Sequence, residues 1–205
     1  MDFSPYVTWI IAGNIFTVAI AILLLHASIE DIRHRDIGSM HVVLLYIIVS
    51  LYSVFITKLN LETTYVFLFA FVLFMLISFF SKGHFGIGDS LVIGALAWYL
   101  GTFNNLQIFM YAMGAIAIPW AVFWLYRYRE NNTLNGMLQG FKKTVPIGEV
   151  KVGDVLHTDH FMHGLTAEQI DRMRQDGFLT VTIKKPMPFI PVIFLAFLTT
   201  LVYTL

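Results

Sequence analysis

The chain has 205 residues, of which 58% are hydrophobic and only 13% charged, and its mean hydropathy is +0.74. Soluble domains carry about 25% charged residues, and half that density leaves large apolar patches on any globular surface. A soluble single-domain enzyme is excluded. The 13 Lys and Arg balance 13 Asp and Glu, so nothing in the charge argues for a nucleic-acid partner. There are no cysteines, which removes disulfides, zinc–thiolate sites and a Cys nucleophile.

The N-terminus, Met-Asp-Phe-Ser-Pro, has no Lys or Arg ahead of its apolar run. It therefore reads as a retained span and not a cleaved signal peptide. A bilayer core needs about 20 apolar residues per helix. Six stretches approach that: Val7–Ile29, Met40–Thr57, Thr64–Phe80, Gly88–Gly101, Leu106–Tyr126 and Phe189–Leu205. The fourth and sixth are short. Together they predict an all-α polytopic membrane protein of six transmembrane helices, with the lipid bilayer as its solvent.

The polar residues gather in one place. Sixteen charges fall between Arg127 and Lys185 and ten in the first 126 residues. The chain divides into a bundle of helices one to five (1–126), a polar insert (127–185) and a sixth transmembrane helix (186–205). The insert reads as a small α/β unit. Glu149–His157 alternates around a Gly-Asp turn signal, as short strands do. Thr166-Ala-Glu-Gln169 is a capping box opening a helix that Gly177 can close. Phe178–Ile183 alternates as a strand leading into the last span. So few residues imply a core that leans on the membrane bundle.

Charge asymmetry orients the bundle. With both termini outside, 12 of the 13 basic residues lie on the inner side, and only Lys58 lies outside. The short-loop and juxtamembrane votes, Arg33, Arg35, Lys82 and Arg127, all agree. The insert is then cytoplasmic, and the protein is a multi-pass component of the cell membrane.

Ionisable groups in membrane spans are functional candidates, because burying them costs several kcal/mol. Asp31 falls at the inner end of helix one and Asp89 at the inner start of helix four. The expected topology puts both at one membrane face and similar depth. Two such carboxylates are the minimum equipment for aspartyl proteolysis: an ionised Asp takes a proton from water while its protonated partner donates to the scissile carbonyl. Gly86 and Gly88 remove side chains beside Asp89, so a substrate backbone can approach. Glu30 and Asp36 carry negative charge for a basic substrate segment, or serve as solvated loop acids. His26 and His84 flank the site in sequence. His157, His160 and His163, with Asp159, have the spacing of neither one helix face nor a zinc signature. No metal and no cofactor is expected.

At these residues the sequence resembles a known family. Gly86-Ile-Gly-Asp89 matches the GxGD signature of intramembrane aspartyl proteases. Asp31-Ile-Arg-His-Arg-Asp-Ile37 is similar to the Asp-x-Arg-x-x-x-Ile motif closing helix one of type IV prepilin peptidases and archaeal preflagellin peptidases. The six-helix plan and Pro188-Phe-Ile-Pro191 before the last span resemble the archaeal branch. The resemblance implies an endopeptidase that cleaves the basic signal peptide from prepilin or prearchaellin precursors at the cytoplasmic face, with Asp31 and Asp89 as its catalytic pair. Many members of that family carry Lys two residues after the GxGD Asp, where this chain has Leu91.

Three other readings compete. A small transporter or proton channel would use the two aspartates as a relay, but the internal repeats and broken helices common in transporters are not evident. A presenilin-type GxGD protease would carry a Tyr-Asp motif on the preceding helix and a later Pro-Ala-Leu. Here the third span closes on Ser-Phe-Phe-Ser81, and no Pro-Ala-Leu occurs. A non-catalytic scaffold would use the insert for docking.

Overall fold

The computed structural model describes residues 4–34, 38–57, 60–80, 86–128, 142–152, 154–156, 165–184 and 187–204. Six apolar helices are α1 (Ser4–His34), α2 (Ser39–Tyr52, continuing as a wider turn to Thr57), α3 (Leu61–Phe80), α4 (Ile87–Leu100), α5 (Phe103–Tyr128) and α7 (Ile190–Thr204). A seventh, polar helix, α6 (Ala167–Gln175), belongs to the insert. The apolar helices fall on the six expected stretches; α1, α3 and α5 run past the limits read from hydropathy, while α2, α4 and α7 differ from theirs by no more than one residue at either end.

Length separates them into two groups. Four are long and apolar enough to cross a membrane: Gly13–Arg33, Ser39–Thr57, Leu61–Phe80 and Phe103–Arg127. α4 and α7 have 14 and 15 residues, or about 21–23 Å at 1.5 Å per residue, against a hydrocarbon core of about 30 Å. Six full-length spans are therefore more than the helices by themselves establish.

The two short helices are the buried ones. Val92, Ile93, Ala95, Leu96 and Ala97 of α4, and Ile190, Val192, Ile193, Ala196 and Phe197 of α7, are almost wholly enclosed. A helix apolar on every side is stable only when surrounded. α4 packs on α3 and α2, and α7 packs on α5 and α1. The long helices turn apolar residues outward instead: Ile22 is 64% exposed, Phe80 74% and Tyr111 70%. Such a belt needs lipid around it.

Between apolar helices in lipid, close van der Waals contact replaces the hydrophobic drive, so small residues mark the tightest approaches. Gly94 lies at one of them. A Cβ there would stand 3.2 Å from both the Phe71 ring and the Tyr46 hydroxyl. Polar bonds add cross-links. Ser90 Oγ donates to the Phe74 carbonyl at 2.9 Å, and Thr63 Oγ1 donates to the Gly101 carbonyl at 3.3 Å. Together they fix α3 and α4 antiparallel. The Trp120 indole N–H donates to the Pro188 carbonyl at 2.7 Å, joining late α5 to the chain just before α7.

The insert contains a three-stranded antiparallel sheet in the order β1-β3-β2, from β1 (Lys142–Pro146), β2 (Val155–Leu156) and β3 (Thr180–Lys184). Thr166 caps α6 as the sequence predicts: its Oγ1 accepts from the Gln169 N–H, and the Gln169 side chain accepts from the Thr166 N–H. Gly177, at φ 80°, ends the turn after α6. Two expectations change. β1 was not foreseen, because Lys-Lys-Thr-Val-Pro alternates over too few residues to signal a strand. The expected dependence on the bundle gives way to a separate core of Val145, Val150, Leu165, Ile170, Val181 and Ile183, with no bundle residue among the described members.

Gly94→Val is expected to overpack the α2–α3–α4 junction and destabilise the detergent-solubilised protein by about 1–3 kcal/mol. Gly94→Ala should cost less. Thermal unfolding of the two variants against the parent checks the order.

Candidate functional site

The helix contacts bring one set of termini together. Late α1 meets early α2 through His26 and His41. The end of α1 meets the start of α7 through Asp31 and Ile190. Late α5 reaches the same place through Trp120 and Pro188. α4 begins there too, since the charge on Asp31 acts on Asp89 in its first turn.

Asp31 lies on the last turn of α1 and is 5% exposed. Its Oδ2 accepts from the Ile190 backbone N–H at 2.9 Å. The first N–H groups of a helix have no partner within it, so this carboxylate supplies from another helix what a local cap supplies elsewhere. Pro191 follows at the second position of α7, where an absent N–H costs nothing.

Asp89 reaches its place by a local route. It stands three residues after Gly86, whose extended backbone (φ −72°, ψ 148°) leads into α4. Asp89 Oδ2 accepts from the Gly86 N–H at 3.1 Å, which is the reach-back half of a capping box. A Cβ on residue 86 would stand 3.1 Å from that same oxygen. The missing side chain at 86 thus makes room for the Asp89 carboxylate itself. Gly88 and Asp89 are half-buried.

The arrangement is two carboxylates from separate helices, within electrostatic reach, each accepting one N–H at a helix start. Each oxygen so engaged is oriented by its bond. That set can serve general acid–base chemistry or proton relay.

The other expected residues divide. Glu30 is half-buried and turns to His41: its Oε2 lies 3.2 Å from His41 Nδ1. Leu91 is half-buried on α4 and Arg33 is exposed. Asp36, His84, His157, Asp159, His160 and His163 lie outside the described residues. Sequence reasoning missed two participants. One is the Ile190 N–H, a backbone group that no side-chain pattern reveals. The other is His41, three residues after Gly38, whose signal was a His opening the helix that follows the one carrying His26 and Glu30. No family model matches the chain, and neither a curated protein nor a solved structure matches it.

Asp31→Asn keeps an oxygen for the Ile190 N–H, whereas Asp31→Leu leaves a buried donor without a partner, at a cost of about 1–3 kcal/mol. The Leu variant is therefore expected to unfold at lower temperature in detergent than the Asn variant.

Proposed function

We propose that this protein is a membrane aspartyl endopeptidase of the prepilin and preflagellin peptidase type. Its substrates are prepilin or prearchaellin precursors, cut at the cytoplasmic face. The carrying observation is the pairing of Asp31 and Asp89, from the end of α1 and the start of α4, within reach of each other's charge. The resemblance of Asp31–Ile37 and Gly86–Asp89 to that family's two motifs supports the same reading.

In this mechanism the ionised member of the pair removes a proton from water as the oxygen attacks the scissile carbonyl. The protonated member gives its proton to the carbonyl oxygen, forming a neutral gem-diol. Collapse breaks the C–N bond, with the proton returned to the leaving amine through the same pair. A precursor's apolar helix rests in the bilayer and its basic leader stays inside, so the bond between them meets the carboxylates at the inner helix ends. In this reading the negative charge of Glu30 and Asp36 attracts the leader's basic residues.

The topology that goes with this function has six spans, both termini outside and the insert in the cytoplasm. α4 and α7 cross by being enclosed in protein, where length need not match the lipid core. The 12-to-1 partition of basic residues supports that orientation.

Membranes containing the protein are expected to shorten a prepilin or prearchaellin substrate on a gel. Asp31→Asn and Asp89→Asn should each reduce that cleavage by at least about 100-fold while the protein remains folded. Undiminished cleavage in either variant overturns the mechanism, and proton flux in liposomes without cleavage would favour a relay. Orientation has its own test, since the chain has no native cysteine. Lys58→Cys should react with an impermeant maleimide added outside intact cells, and Lys151→Cys only after permeabilisation.

A further inference from the structure

We propose that His26, Glu30 and His41 form a binding site for a divalent transition-metal ion, of the zinc class, that clamps α1 to α2. One donor atom from each lies within 4.8 Å of the other two. His26 and Glu30 stand four residues apart on α1, which puts them on one helix face. His41 comes from the first turn of α2, across the short connection that includes Gly38.

The three side chains satisfy one another poorly without an ion. His26 Nδ1 and His41 Nε2 face each other at 2.7 Å, a contact that needs one nitrogen to donate and the other to be bare. His41 Nδ1 is buried 3.2 Å from the Glu30 carboxylate yet makes no well-directed hydrogen bond. Buried polar atoms are rarely left so. Two imidazoles and one carboxylate are a donor set that suits zinc and its neighbours.

The three donor atoms, now within 4.8 Å of one another, would have to draw in on the ion. Ligands at about 2.0–2.1 Å from a tetrahedral ion stand about 3.3 Å apart, so the two imidazole nitrogens would part by about half an ångström. His26 is exposed, so protein does not close the cluster on that side and the fourth coordination position is open. Gly38 closes the other side. A Cβ there would meet His41 Nδ1 at 3.3 Å and Glu30 Oε2 at 3.4 Å, so any larger residue would press on two of the three ligands. Glu30 precedes Asp31 in sequence, and the clamp thus holds the turn of α1 that positions Asp31, while its ligands do not include Asp31 or Asp89. The site stands whether or not the peptidase reading does.

The test uses the full chain in detergent, stripped with chelator and titrated with Co2+, then with Zn2+ as competitor. One equivalent of Co2+ should give the visible bands of a tetrahedral N/O site, Zn2+ should bleach them, and Zn2+ should raise the unfolding temperature. His26→Ala, His41→Ala and Glu30→Gln should each weaken binding by at least about tenfold, with metal-free unfolding temperatures near the parent's showing that they fold. Asp31→Asn and a triple alanine variant of His157, His160 and His163 should bind as the parent does. Absence of stoichiometric binding, or binding undiminished in both His26→Ala and His41→Ala, overturns the proposal. So does loss of binding in Asp31→Asn or the triple variant, which would put the ion elsewhere.

Discussion

One hydrogen bond joins the two ends of this chain: the Asp31 carboxylate accepts the Ile190 N–H across 159 residues. It anchors the start of α7, which must emerge from the polar insert and enter the bundle core at the right depth. It also fixes the Asp31 side chain, which is buried and turned away from solvent. Structural anchor and candidate catalytic group are thus one carboxylate, so orientation for chemistry comes from the same bond that docks the last helix.

The pairing of long and short helices follows from who is in contact with lipid. α1, α2, α3 and α5 present apolar residues outward and are long enough to span. α4 and α7 are enclosed by protein, where a helix can end before the hydrocarbon does. Asp31 and Asp89 stand at the starts of these two helices, each holding a backbone N–H there.

Much of this was legible in the residues. The apolar stretches located all six apolar helices, and the Thr166–Gln169 capping box located α6, because hydropathy and capping act within a few residues. The GxGD turn and the helix-one acidic motif singled out Asp31 and Asp89 for the same reason: ten charges in 126 residues leave few carboxylates to consider. Other features were hidden. β1 is a strand because β3 pairs with it, residue for residue from Lys142–Lys184 to Pro146–Thr180, and pairing leaves little mark on a five-residue segment. That Gly86 also makes room for the Asp89 carboxylate shows only in three dimensions. His41 attracted no notice as a single His in an apolar helix and gained meaning only when α2 folded back on α1.

The sequence by itself determined that the protein lives in a membrane, because a chain with 13% charge cannot cover its own apolar surface in water. It also determined that its polar mass is one insert and that the carboxylates worth considering are very few. Tertiary structure decided what those carboxylates touch. It set Asp31 on the Ile190 N–H and within reach of Asp89, and set Glu30 against His41 instead of open solvent. Such contacts join residues distant in sequence, and they depend on which helices are enclosed and where each begins. Local pattern carries no record of either, so the scarcity of charge named the acids and the packing of α4 and α7 assembled them.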